Sequence, residues 1–322
     1  MITSDDIKQL AARAGFDLCG ICSAEPIPEA QAQFMAWLDK GYQAEMNWMA
    51  PEEQNLERRT DPSRLGIDAK SVIMLAVNYY QPNSDSVPVG YGQVSRYARG
   101  RDYHKVVENK IKKLLKLITT RFPDTTPEKF KWWVDYGPFM ERAYAAKAGL
   151  GFLGKNGMLI SRKFGSWLFL AEIVTTLELE PDDPNAVNHG RCAKCTKCID
   201  ACPTGAIVSD GVVDSSLCFS YWTVENPLHT SESVAAQNRH SLLGCDICQE
   251  VCPHNNKHRS ILTAHDELMP DHGVGEFLSF EKILSMTTRE EFLEMTAGTA
   301  LTRPKLEGLQ HTARIVKENR KT

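Results

Sequence analysis

The sequence lacks any uninterrupted apolar run of the roughly 18 residues that a membrane-spanning helix requires, so no bilayer span is expected. It also lacks an excess of positive charge. Against 37 Lys and Arg stand 41 Asp and Glu, a net charge of -4, so no global basic field announces a nucleic-acid partner. Common catalytic signatures are missing as well. There is no GxxxxGK(S/T) loop to cradle phosphates, no GxSxG elbow to expose a serine, and no HExxH helix to hold zinc. The first residues, Met1 to Asp6, are polar and acidic and do not read as a signal peptide. A cytoplasmic location is therefore expected, where thiols stay reduced and disulfides are rare.

Cysteine, by contrast, is abundant and unevenly placed. Of the 10 cysteines, Cys19 and Cys22 come early and the others crowd into residues 192–252. The first run is Cys192-x2-Cys195-x2-Cys198-x3-Cys202-Pro203, the spacing of bacterial ferredoxins that carry two clusters. Three thiolates on one tight loop can reach three corners of a cubane. The fourth begins to lead the chain away and must serve a second cluster. The second run, Cys245-x2-Cys248-x3-Cys252-Pro253, is one cysteine short, and Cys218 completes it. The expected ligand sets are Cys192, Cys195, Cys198 and Cys252 for cluster one, and Cys202, Cys218, Cys245 and Cys248 for cluster two. The competing reading is a pair of zinc sites with four cysteines each. Cys19 and Cys22 fall in an expected strand, where residues three apart point to opposite faces, so they read as structural thiols.

Around this module the pattern mixes helix and strand, which points to an α/β or α+β domain, and α+β is the class expected for the chain. Expected strands are Phe16 to Cys22, Val72 to Tyr79, Lys131 to Asp135 and Trp167 to Thr175. Glu29 to Lys40 reads as a helix stopped by Gly41. A longer helix after Asp102 carries the stripe Val106, Val107, Ile111, Leu114, Leu115 and Ile118 at a period of about 3.6. The acidic, proline-containing residues 178–190 read as a linker. Three segments follow: a catalytic domain over 1–177, a cluster domain over 178–260, and a helical C-terminal segment over 261–322. In the last, Thr288 is placed to cap a helix, and Arg303 to Lys321 forms a basic one.

Two clusters form an electron relay, and its terminal site is expected in the N-terminal segment. Gly149-Leu-Gly-Phe-Leu-Gly154 matches GxGxxG, but it follows a helix rather than a strand, so a dinucleotide fold fails on context. A close approach of the backbone to a flat ligand or to another chain segment is the simpler reading. Asp135 closes an aromatic-rich strand just before Gly137-Pro138. Desolvation there would raise its pKa and suit it to proton donation, whereas the plainer reading is a cap on the next helix.

Several segments resemble one family closely. They are NLERRTDP (55–62), RYARGRDYHKVV (96–107), VDYGPFMERAYAAKAGLGFLGKNGMLIS (134–161), GSWLFLAEI (165–173), CAKCTKCIDACPTGAI (192–207) and LLGCDICQEVCPHN (242–255). Together they resemble epoxyqueuosine reductases. The resemblance implies a cobalamin-dependent enzyme with two 4Fe-4S clusters that reduces epoxyqueuosine to queuosine at the wobble position of tRNA anticodons. It implies a nitroreductase-like N-terminal fold, a tRNA partner, a low-potential donor such as a flavodoxin or ferredoxin, and a monomer. Asp135 matches the family's proton donor. Arg59, with Arg58 beside it, matches a cobalamin contact, and Tyr97, Lys155, Asn156, Met158 and Ser161 lie where the family wraps the corrin. Ser220 and Asp246 lie beside the cluster-two cysteines. Longer members continue into HEAT-like repeats, whereas this chain ends at Thr322. Its expected tRNA grip is the basic last helix and the run Arg96, Arg99, Arg101, Lys105, Lys110, Lys112, Lys113 and Lys116. The alternatives are a corrinoid enzyme acting on small molecules and a non-catalytic ferredoxin-type carrier.

Overall fold

The computed structural model describes residues 2–49, 53–186, 190–256 and 260–321. They group into two compact bodies. The first comprises Met1–Gly41, Asn47–Asn78 and His104–Ala193, and the second Tyr42–Met46, Tyr79–Tyr103 and Lys194–Thr322. In chain order the elements begin with α1 (Ser4–Ala14), β1 (Leu18–Ser23), α2 (Pro28–Asp39), α3 (Glu53–Thr60), β2 (Ser71–Asn78) and β3 (Tyr91–Val94). Next come α4 (Tyr103–Arg121), β4 (Phe130–Trp133), α5 (Glu141–Lys147), β5 (Phe152–Leu153), β6 (Leu159–Ile160) and β7 (Leu168–Thr175). The cysteine region holds α6 (Lys197–Ala201), β8 (Ile207–Ser209), β9 (Val212–Val213), α7 (Phe219–Val224), α8 (Glu232–Ala235), β10 (Ser241–Leu243) and α9 (Ile247–Glu250). The chain closes with β11 (Phe277–Ser279), α10 (Phe280–Ser285), α11 (Arg289–Thr296) and α12 (Lys305–Asn319).

The first body is built on an antiparallel sheet of order β1-β2-β7-β4. Every residue of β2 is buried, as its unbroken run SVIMLAVN requires of a central strand covered on both faces. The long helix α4 begins at Tyr103, directly after Asp102, and turns Val106, Val107, Ile111, Leu114 and Ile118 inward. At the N-terminus, Thr3 and Asp6 form a reciprocal capping box on α1, and Gly15 ends the helix at φ 99°. The stretch after β7 is more firmly held than its linker-like composition suggests. Leu179 donates its N–H to Ser71 Oγ at 3.0 Å, and Asp182 accepts from Ile21 N at 2.8 Å and pairs with Lys8. Residues 187–189 of that stretch lie outside the described residues.

The second body centres on the small sheet β10-β3-β11, with β10 parallel and β11 antiparallel to β3. Val94, Leu242 and Leu278 from these strands share one core with Ile283, Phe292, Leu309 and Val316 of the C-terminal helices. Thr288 caps α11, as expected, and Glu291 bonds back to complete a capping box. Among the described residues no helix is long and apolar enough to cross a membrane.

Candidate functional site

The two CxxxCP runs adopt the same local structure. Cys202 follows α6 with φ -70° and ψ 111°, and Cys252 follows α9's turn with φ -70° and ψ 124°. Each donates its N–H to the carbonyl three residues back, Ile199 or Gln249, at 3.2 Å. The two short helices pack against each other. The repeat seen in sequence is thus a structural repeat, with each proline redirecting the chain once its cysteine has been placed.

None of the ten cysteines is joined in a disulfide. Cys202, Cys218, Cys245 and Cys248 act on one another electrostatically: Cys218 feels Cys202, Cys245 feels Cys218 and Cys202, and Cys248 feels Cys245 and Cys218. Burial is the first cause of the raised pKa values of Cys218, Cys245 and Cys248, and Cys245 is pushed up to about 12. Buried thiols crowded in this way become favourable thiolates when cations neutralise them. Backbone N–H groups already point at the sulfurs. Ala206 N–H reaches Cys202 Sγ at 3.3 Å, and Lys155 N–H reaches Cys192 Sγ at 3.4 Å. Ser220 and Tyr221 donate to Cys218, and Ile247 donates to Cys245. Such donors suit sulfurs that carry negative charge at a cluster. Among the described residues no three His, Cys, Asp or Glu groups close tightly enough to hold one metal ion. A quartet spread over a cubane is wider than a mononuclear site with sulfurs about 2.3 Å from one zinc. Cys192 belongs to the first body and the other seven module cysteines to the second.

Asp135 sits in a strained turn after β4. Its φ is 63°, in the region that favours glycine, and Tyr136 N–H bonds back to Val134 O at 2.7 Å. This is a γ-turn of the rarer, costlier hand. Gly137 permits it, because a Cβ there would lie 2.5 Å from Trp133. Asp135 N–H donates to Glu141 Oε1 at 2.8 Å, and Asp135 Oδ2 lies 3.6 Å from His104 Nε2. The Asp135 side chain is 59 % exposed, so the desolvation expected of it falls elsewhere. It falls on Glu141, raised to about 8 by burial and then by the Asp135 charge, and on Glu172, raised well above the carboxylate range by burial first. Nor does Asp135 cap the next helix: Met140 takes that position in α5 without a side-chain bond. Tyr136 donates to Glu108 Oε1 at 2.9 Å, which anchors the far side of the turn to α4.

The remaining expected cofactor residues divide between the bodies. In the first, Arg59 lies in the last turn of α3, donates from Nε to Met49 O at 3.1 Å and stands 6.0 Å over the Phe34 ring, while Arg58 is exposed. Lys155, Asn156 and Met158 lie on the β5–β6 turn. Asn156 is 5 % exposed, and its Nδ2 has no partner, a buried donor that a corrin propionamide carbonyl would satisfy. Ser161 is buried and spends its hydroxyl on Phe164 N–H at 2.9 Å. In the second body, Tyr97 packs edge-on against Tyr103, Ser220 lies in α7, and Asp246 accepts from Arg96 N–H at 2.9 Å. Gly151 answers the GxGxxG question, since a Cβ there would meet Ile160 O at 2.4 Å: the backbone approaches another chain segment.

Two expected tRNA contacts are corrected. Arg96 and Arg99 are 2 % and 1 % exposed and are engaged internally, Arg96 with Asp246 and Glu250, Arg99 with Val94 O, Asn83 and Glu276. Lys105, Lys112, Lys113 and Lys116 are exposed on α4, the first two paired with Glu108 at 3.2 and 3.7 Å. Cys19 and Cys22 pair with Leu75 and Val72 of β2, and burial pushes both thiols up to about 12, in keeping with inert structural roles.

Comparison with known proteins yields concordant matches. The family described as "Epoxyqueuosine reductase QueG, DUF1730" matches residues 59–135, and the "4Fe-4S double cluster binding domain" matches residues 191–255. An epoxyqueuosine reductase of Leadbetterella byssophila is 38 % identical over 316 residues, covering 98 % of this chain and 98 % of the relative. A crystal structure of an epoxyqueuosine reductase with an epoxyqueuosine-modified tRNA-Tyr stem loop superposes with a TM-score of 0.85 at 28 % identity, covering 97 % of this chain and 80 % of that one. The Bacillus subtilis enzyme, solved with its aspartate-bearing catalytic loop swung out of the active site, superposes at 0.84 and 27 % identity, covering 97 % and 80 %.

Proposed function

The chain belongs to the epoxyqueuosine reductase family, and from that premise we propose that it reduces epoxyqueuosine to queuosine in a tRNA anticodon, with Asp135 delivering protons. The observation that carries this reading is the strained Asp135 turn, held from behind by Glu141 and faced by His104. Strain of this kind persists only where the surroundings enforce it, and it gathers at working sites.

The reaction turns an epoxide into an alkene and water, consuming two electrons and two protons. When bound, the two 4Fe-4S clusters supply single electrons at low potential, and cobalamin supplies a strongly reducing cobalt centre. The protein's own task is to orient the substrate and handle protons. The exposed Asp135 carboxyl can reach a substrate oxygen, and protonated His104 beside it would hold the carboxylate in place. The clusters take Cys192, Cys195, Cys198 and Cys252, and Cys202, Cys218, Cys245 and Cys248. For the corrin, Arg59 offers a forked cation and Asn156 its unpartnered amide, with Lys155, Met158 and Ser161 nearby in sequence. Arg58, Tyr97, Ser220 and Asp246 complete the set that the family resemblance marks for that cofactor.

In functional terms residues 1–177 form a nitroreductase-like cobalamin domain, 178–260 the cluster module, and 261–322 a helical end. A flavodoxin- or ferredoxin-like donor feeds a monomeric enzyme, and the exposed lysines of α4 with those of α12 contact tRNA phosphates. The test is anaerobic turnover of epoxyqueuosine-containing tRNA with cobalamin and a low-potential reductant. Asp135→Asn is expected to lose about 10²–10⁴-fold in turnover while keeping both clusters. Wild-type turnover in that variant would remove Asp135 from the mechanism. Failure of the wild-type protein to bind the anticodon stem loop in a salt-sensitive manner would redirect the activity to small molecules.

A further inference from the structure

Within the first body, one helix grips β4 and the turn that carries Asp135. In α4, His104, Glu108 and Lys112 recur at intervals of four residues and so share a face. That face meets the neighbouring segment at three points. Lys112 Nζ stands 5.8 Å over the Trp132 ring, Glu108 Oε1 accepts from the Tyr136 hydroxyl at 2.9 Å, and His104 Nε2 lies 3.6 Å from Asp135 Oδ2. The rings of His104 and Tyr136 also lie 5.8 Å apart, tilted by 32°. Direct proton delivery by Asp135 calls on neither Glu108 nor Tyr136.

Glu108 is 7 % exposed, yet it stays ionised. Burial works to raise its pKa, but the bonds from Tyr136 and Lys105 and the charge of Lys112 hold it below the usual carboxylate value. Lys105 and Lys112 lie 3.2 and 3.7 Å from its Oε2. A carboxylate fixed in this way is a strong, stationary acceptor. Tyr136 is the opposite case. It is 58 % exposed, so packing does little to hold it, and its hydroxyl bond is its firm tether to α4. The turn needs a tether. Asp135 at φ 63°, with Tyr136 N–H bonded to Val134 O at 2.7 Å, is a backbone state that persists only where its surroundings enforce it. Glu141 holds one side of the turn through the Asp135 N–H at 2.8 Å, and Glu108 holds the other. A glycine at 135 would reverse the chain at less cost, so the strain accompanies the aiming of a carboxyl.

We infer that Tyr136 and Glu108 are positioning residues for the reaction: their hydrogen bond clamps the strained turn to α4 and so aims the Asp135 carboxyl at the substrate oxygen, an inference that rests on Asp135 being the proton donor. The pair exchanges no proton with the substrate. Burial first, and then the Glu108 carboxylate, push the Tyr136 phenol up to about 12, so it remains a donor to Glu108 at neutral pH. Its effect is geometric, because an acid displaced by about 1 Å from its productive place can lose up to about 10²-fold in rate.

The test uses Tyr136→Phe, Glu108→Ala, Glu108→Gln and the double variant Tyr136→Phe/Glu108→Ala in the cluster-loaded, cobalamin-bound protein, with amide hydrogen exchange and kinetics as readouts. Tyr136→Phe keeps the ring and loses only the tether. Exchange of the Asp135 and Tyr136 amides should quicken about tenfold, as loss of one bond to a charged acceptor implies, while Tm and exchange elsewhere stay as in wild type. Its kcat should fall on the order of tenfold with KM unchanged, short of the roughly 10²-fold or larger loss on removing the acid itself. The double variant should be no worse in kcat than Tyr136→Phe, since both changes break one bond. Glu108→Gln keeps an acceptor for the phenol and should fall between wild type and Glu108→Ala in both readouts. Wild-type exchange or wild-type kcat in Tyr136→Phe while Asp135→Asn is inactive overturns the clamp alone. So do a raised KM with unchanged kcat, additive losses in the double variant, or a Glu108→Gln as impaired as Glu108→Ala. An active Asp135→Asn overturns the proton-donor reading beneath it.

Discussion

Glu141 couples protonation to folding. Its carboxyl titrates at about 8 in the fold, above the ordinary 4.5, because burial and the Asp135 charge disfavour its anion. Between these values the folded chain binds the extra proton, so the sign is settled by linkage. The contribution to stability is fully present below pH 4.5 and is lost as pH rises through about 8. Glu172 pushes in the same direction. Denaturant unfolding across this range should therefore show stability declining with pH, and Glu141→Gln should flatten the decline. An unchanged slope in the variant would mean that Glu141 is ionised in the folded chain. At the same scale, Asp135 was legible as a site residue from its place before Gly137-Pro138, but its exposure was not. Flanking aromatics such as Trp132 and Trp133 suggested a dry setting, yet a γ-turn at φ 63° swings the side chain outward and leaves the dryness to Glu141 and Glu172. Glu172 carried no local signal at all, because one acid in the apolar run LFLAEIVT resembles an edge residue until β7 is known to be a central strand.

At the scale of elements, Arg96 joins β3's turn to α9. It is 2 % exposed, donates from Nε to Gln81 O at 2.5 Å, pairs with Asp246 at 3.3 Å and also pairs with Glu250. Removing one member of a buried ion network strands the others, at a cost of about 3–5 kcal/mol. Arg96→Met is expected to lose that much in denaturant unfolding of the anaerobic, cluster-loaded protein, and a loss below about 1 kcal/mol would class the network with surface pairs. The basic run from Arg96 to Lys116 looked uniform in sequence. Its periodicity against the stripe Val106, Ile111, Leu114 and Ile118 marked the exposed lysines correctly. Arg96 and Arg99 precede the helix and had no period to reveal that they turn inward. Strands β2 and β7 and the capping box of α11 were readable because their signals are local: unbroken apolar runs, and a threonine three residues before a glutamate.

For the whole molecule, the decisive count is metal. Oxygen-free preparations should contain about eight iron and eight sulfide per chain, since two cubanes hold four of each. Cys252→Ala should remove the cluster it shares with Cys192, Cys195 and Cys198, leaving about half the iron and the other cluster's electron-spin signal unchanged. Zinc in place of iron, or loss of both signals, would contradict the interleaved assignment.

The sequence by itself determined the cluster module and the family. Metal ligation depends on residue type and short spacing along one chain, and CxxCxxCxxxCP states both within a dozen residues. It also determined the central strands and the main helices, whose periods are written locally. Only the tertiary structure decided which carboxyl is exposed and which is buried, which arginines are spent internally, and how the segment at 79–103 joins the core of 194–321. Burial and pairing arise from residues far apart in the chain, and no window of sequence contains both partners.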